Sequence, residues 1–149
     1  MDLGRRLAKL IPAKNPPAIL MQGDLGAGKT TFVRALVQNL PGGDEAEVSS
    51  PSFNLVNIYP TTPEIAHIDL YRLPFGEVED DILDYFHDPD YLAIVEWIDH
   101  IRESMWPREY LYMVFQFTPP QNGKEETDRS VILKEQCTGS RQILEGLTS

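Results

Sequence analysis

The chain has 149 residues, 42% of them apolar, with 13 Lys and Arg against 23 Asp and Glu for a net charge of −10. That length suits a single domain with room for a three-layer core, and no apolar run approaches the roughly 20 residues of a membrane span. So acidic a chain is poorly supplied with the cations that tight nucleic-acid binding draws on, and its one cysteine, Cys137, can form neither an internal disulfide nor a metal cluster.

Leu3, Leu7, Leu10 and Ile11 recur at helical spacing up to Pro12, with Arg5 and Arg6 inside the pattern rather than an apolar signal core, so a cytosolic chain is expected. After the Asn15-Pro16-Pro17 connector comes the apolar run Ala18-Ile19-Leu20-Met21, which reads as a strand. Directly behind it stands Gly23-Asp24-Leu25-Gly26-Ala27-Gly28-Lys29-Thr30, a complete G-x-x-x-x-G-K-[ST] phosphate loop. Successive backbone N–H groups of such a loop form an anion-binding concavity at the positive end of the next helix. Lys29 then reaches the terminal phosphates and the Thr30 hydroxyl ligates Mg²⁺. Phe32, Val33, Leu36, Val37 and Leu40 mark that helix, which Pro41-Gly42-Gly43 ends.

Residues 53–59 and 64–70 have strand character and are joined through Pro60-Thr61-Thr62-Pro63, which predicts an antiparallel hairpin. Residues 75–90 hold seven acids and no Lys or Arg, with Ile82, Leu83, Tyr85 and Phe86 as a buried side. Such a stretch suits a solvated face or a docking surface for a basic partner. Leu92-Ala93-Ile94-Val95 reads as a central strand covered on both faces. Leu111, Met113, Phe115 and Phe117 alternate with Tyr110, Tyr112, Val114 and Gln116, and a polar loop leads to Val131-Ile132-Leu133 as a second hairpin. The expected fold is α/β, a phosphate-loop-type mixed sheet of about six strands flanked by helices in three layers, with residues 1–149 as one domain.

A phosphate loop needs carboxylates to complete its metal site, and these belong at the carboxyl ends of neighbouring strands. Asp69 closes Ile65-Ala66-His67-Ile68, and Glu96 closes the central strand. His67 shares a face with Asp69 by alternation, where it would position Asp69 or a water, or serve as an ordinary structural histidine. Two carboxylates converging without a metal repel, so removing either should preserve or raise the stability of the empty protein. Lys29, by contrast, is expected to have no buried partner of its own. Ser50-Pro51-Ser52-Phe53 occupies the place of a phosphate-sensing switch, and Arg72 would reach a phosphate or pair with the acidic stretch.

Taken in order, GDLGAGKTTF (23–32), SPSF (50–53), HIDLYRL (67–73), DYF (84–86) and VEW (95–97) resemble the TsaE family, small bacterial ATPases required for threonylcarbamoyladenosine formation on tRNA. The resemblance implies that Gly23 to Thr31 hold ATP, that Asp69 and Glu96 lie around Mg²⁺ and the attacking water, and that Ser50 and Ser52 belong to a switch. It also implies a functional Trp97 and a nucleotide-side arginine at Arg129. The partner it implies is a TsaD–TsaB-like complex, which would hold the tRNA. Two departures stand out: only Met1 and Asp2 precede Leu3-Gly4, where family members usually have an extra edge-strand segment, and no glycine immediately precedes the Asp-Tyr-Phe element. The first implies either a truncated start or weaker binding on the base side. A small-molecule kinase and a nucleotide-gated binding module are the rival readings; no N-K-x-D or D-x-x-G supports a GTPase.

Overall fold

The computed structural model describes residues 2–118, 128–135 and 138–149. Helix α1 spans Asp2–Ala8, β1 Ala18–Gln22, α2 Lys29–Gln38, β2 Val56–Tyr59, β3 Glu64–Asp69 and α3 Asp80–Asp84. After these come β4 at Tyr91–Glu96, two 3₁₀ turns, β5 at Tyr110–Thr118, β6 at Asp128–Glu135 and α4 at Thr138–Thr148. The six strands form one mixed sheet in the order β2-β3-β4-β1-β5-β6. Strands β3, β4, β1 and β5 run parallel, and an antiparallel strand closes each edge.

Strand alternation sends side chains to two separate cores. On one face Ile19, Met21, Ile65, Leu92, Ile94, Leu111, Met113 and Phe115 pack beneath α1, α2 and α4. Helix α2 contributes Phe32, Val33, Leu36 and Val37, an i, i+1, i+4, i+5 stripe that is fully buried. Burial of each such side chain is worth about 1.5–3 kcal/mol, so this stripe anchors the helix that follows the phosphate loop. The other face, with Ala66, Ile68, Ala93, Val95 and Tyr110, is covered by Ile82, Phe86, Ile98 and Ile101. Two covered faces explain why β4 reads as an uninterrupted apolar run.

Helix α1 crosses α2 closely because residue 4 is glycine: a Cβ there would stand 2.8 Å from Ala35 Cβ and 2.9 Å from the Phe32 carbonyl oxygen. The structure departs from the sequence reading in two places. Residues 52–54 form turns rather than the start of a strand, and Leu55 takes a left-handed φ of 66° before β2 begins. The segment from 138 onward, beyond the last element expected from the sequence, is helix α4, with Ile143 and Leu147 one turn apart and both buried in the α2-side core. Cys137 and the loop through Pro119-Pro120 lie outside the described residues.

Candidate functional site

The phosphate loop leaves the carboxyl end of β1 and enters α2 through three glycines at positive φ, with Gly28 at 106° standing directly before the helix. Gly23 also lies under β5, where a Cβ would come within 2.6 Å of the Phe115 carbonyl oxygen. A side chain there would push the loop off the sheet. Above the loop opens a cleft of about 470 Å³. Gly26, Gly28, Lys29, Thr30, Thr31, Ser50, Ser52, Asp69 and Glu96 all line it, together with Leu25, Tyr71, Arg72 and Trp97. Of the remaining loop residues, Ala27 points into the core and leaves its backbone to the loop, while Gly23 and Asp24 turn their carbonyls to Lys29. Arg129 pairs with Phe117 in the β5–β6 ladder; its side chain lies outside the described residues.

Lys29 is buried, contrary to the expectation that it has no partner. Its ammonium donates to the Gly23 carbonyl and, at 3.0 Å, to that of Asp24, and it stands 3.9 Å from Glu96 Oε2 and 5.9 Å from the centre of the Trp97 ring. A buried ammonium must find acceptors, and the loop carbonyls and one carboxylate provide them.

Asp69 and Glu96 are register partners on the adjacent parallel strands β3 and β4, and both are buried. Both lie on the face of Ile65 and Ile94, the face that α2 covers. Asp69 Oδ1 accepts the Tyr71 N–H at 3.0 Å. Burial raises the Asp69 carboxyl above its ordinary value of 3.8; the Tyr71 N–H opposes this, and the neighbouring Glu96 charge adds to it. Glu96 differs: its Oε1 stands 2.9 Å from His67 Nε2, and its Oε2 faces Lys29. His67 therefore serves Glu96 on the next strand rather than Asp69 on its own.

Ser50 and Ser52 hydroxyls lie 3.1 Å apart at the cleft wall. The exposed Phe53 ring next to them carries the Arg72 guanidinium 4.3 Å from its centre, so Arg72 stacks on the serine segment instead of pairing with the acidic stretch. Trp97 holds a left-handed φ of 61° directly after Glu96 and packs on Tyr71 at 4.9 Å. For a bulky residue that conformation is strained, and such strain concentrates at functional sites. An all-oxygen set of Thr30 hydroxyl and two carboxylates, one of them with its charge poorly compensated, matches a hard divalent cation such as Mg²⁺.

Residues 1–127 match the family model described as Threonylcarbamoyl adenosine biosynthesis protein TsaE. The chain is 42% identical over 101 residues to the tRNA threonylcarbamoyladenosine biosynthesis protein TsaE of Streptomyces coelicolor, covering 64% of this chain and 65% of that one. It is 47% identical over 73 residues to the protein of that name from Aquifex aeolicus, covering 48% and 53%, and 38% identical over 114 residues to that from Bacillus subtilis, covering 74% and 69%. The alignments thus span between about half and just over two thirds of these relatives' own length. The crystal structure of Bacillus subtilis YdiB superposes on 99% of the chain and 88% of its own with a TM-score of 0.70 at 27% identity. Because the family match runs through every element that shapes the cleft, from the phosphate loop to the end of β5, the chain belongs to the TsaE family.

Proposed function

We propose that this chain is a Mg²⁺-dependent ATPase that serves threonylcarbamoyladenosine formation on tRNA by docking on a TsaD–TsaB-like complex and supporting its turnover. One observation carries the reading: a phosphate loop whose lysine stands in a cleft walled by two strand-end carboxylates, Asp69 and Glu96. Nucleotide phosphates would take the loop N–H groups and draw the Lys29 ammonium from the carbonyls of Gly23 and Asp24. Thr30, Asp69 and Glu96 would hold Mg²⁺, which neutralises charge on the phosphates, while the remaining positions of an octahedral ion go to phosphate and water. Asp69, at the wall of the cleft beside Glu96, suits orientation of the attacking water. Arg129 would lie on the nucleotide side, and residues 1–149 would act as one ATPase domain.

The partner is supported by what surrounds the cleft. Leu25 is 78% exposed, Phe53 84% and Tyr71 50%, an apolar rim where a nucleotide site meets solvent. Exposed apolar groups of this kind mark protein contacts. The acidic stretch 75–90 suits a basic partner surface, and with the partner holding the tRNA this chain needs no basic face. Among the described residues no helix is long and apolar enough to cross a membrane, and a cytoplasmic setting fits tRNA modification.

The test is ATP turnover by the chain alone and with the partner complex, with GTP as competitor and a panel of small phosphate acceptors. Slow turnover alone, acceleration by the complex and preference for ATP are expected. Transfer of phosphate to a small molecule would establish a kinase instead. Full-speed turnover alone, unchanged by the complex, would remove the partner from the mechanism.

A further inference from the structure

We propose that His67 is a positioning residue that fixes Glu96 so that it presents a single carboxylate oxygen to the cleft. The inference rests on the ATPase reading and concerns how that site is held. His67 is completely buried on the face that carries Ile65, Leu92 and Ile94 and, at its carboxyl end, Asp69 and Glu96; without a polar partner an aliphatic side chain would pack there at lower cost. Its polar contact there is Nε2 to Glu96 Oε1 at 2.9 Å, and its Nδ1 has no hydrogen-bond partner. A bare acceptor is cheaper to bury than an orphaned N–H, so the ring carries its proton on Nε2 and donates it to Glu96.

The consequence is a defined orientation for the carboxylate. With Oε1 tied to β3, Oε2 is the oxygen that faces Lys29, 3.9 Å away. Asp69 is arranged in parallel fashion, one oxygen held by the Tyr71 N–H. Two neighbouring carboxylates, each with one oxygen tied, suit an ion that takes one or two carboxylates and fills its other positions with phosphate and water. Once phosphate draws Lys29 away, Glu96 loses one of its two partners. His67, rooted in the sheet, keeps it in place.

The test uses the full chain with His67→Leu, which removes the donor, and His67→Gln, whose amide N–H lies at a similar reach. Mn²⁺ binding to the ADP-loaded protein is followed by electron paramagnetic resonance, ADP binding in EDTA by calorimetry, and ATP turnover separately. His67→Leu should weaken Mn²⁺ binding and lower kcat by about 10–100-fold while ADP binding in EDTA stays within about twofold, and His67→Gln should recover most of the loss. Equal loss in both variants, or loss in neither, overturns the proposal. If His67→Leu does not fold, imidazole ¹⁵N NMR of the unaltered protein decides: an Nε2–H tautomer supports the proposal, and an Nδ1–H tautomer overturns it. Failure of ADP to bind the unaltered protein would sink the ATPase reading and this inference with it. Normal ADP and Mn²⁺ binding that ignores both substitutions would sink this inference alone.

Discussion

Although Asp69 and Glu96 look equivalent in sequence, the structure separates them, and their substitutions should move the stability of the nucleotide-free protein in opposite directions. Adjacent strands in register place the two residues' backbones about 5 Å apart, and charges at a comparable separation would repel by about 3 kcal/mol at an effective dielectric constant near 20. Glu96 recovers more than this. Lys29 at 3.9 Å attracts it by about 4 kcal/mol on the same scale, and removing its acceptor strands the buried His67 donor at a cost of about 1–3 kcal/mol. Glu96→Ala should therefore cost about 2–4 kcal/mol. Asp69→Asn keeps an acceptor for the Tyr71 N–H and removes the burial cost of the charge and the repulsion, but it also gives up the attraction of Asp69 to Lys29 and His67, so the net gain should be about 1–2 kcal/mol. At about 2–4 °C per kcal/mol for a chain of this size, Tm in EDTA at pH 7 should rise by a few degrees for Asp69→Asn and fall by roughly 4–16 °C for Glu96→Ala.

The stability difference at Asp69 also depends on pH. Burial raises the Asp69 carboxyl, so between its ordinary value of 3.8 and the raised value the folded chain holds a proton that the unfolded chain releases. Asp69 thus costs stability progressively as pH rises through that window and by a constant amount above it. The advantage of Asp69→Asn should be full at neutral pH and vanish below about pH 3.8. A melting point lowered by Asp69→Asn at pH 7, or a gain that persists unchanged at pH 3, would show that the repulsion argument is wrong.

Lys29→Ala should abolish nucleotide binding in calorimetry and also lower apo stability by about 3–5 kcal/mol in thermal melts, because it removes the attraction to the buried Glu96 carboxylate as well as the donor to the Gly23 and Asp24 carbonyls. A melting point unchanged by the substitution would mean that those bonds contribute nothing net. Gly4→Val should destabilise by about 1–3 kcal/mol, since its side chain would collide with Ala35 and the backbone of α2; denaturant titration showing no shift in midpoint would disprove the close crossing.

The phosphate loop was legible from residues 23–30 because its chemistry is local: glycines at fixed offsets, then lysine and threonine at the start of a helix, need no distant partner to be recognised. The sheet was legible because β1, β4 and β5 carry period or length signals that survive without tertiary context, while one hairpin follows from the short connection at residues 60–63 and the other from two strand-like runs joined by a polar loop. Asp69 and Glu96 could be placed at strand ends for the same reason. Helix α4 went unread because its apolar positions, Ile143 and Leu147, are sparse and acquire meaning only against the α2-side core.

What the sequence alone determined was therefore the set of reacting groups and the order of elements that brings them to one end of a sheet. What only the tertiary structure decided was how those groups are paired. Alternation along β3 puts His67 and Asp69 on one face, but it is the register Asp69↔Glu96 that sets His67 diagonal to Glu96 and gives each carboxylate its own partner. Likewise Lys29 meets Glu96 only because β1 and β4 are neighbours in the sheet. Strand order and register arise from the packing of whole faces against α2 and its opposite layer, a sum over many distant side chains that no local run of residues encodes.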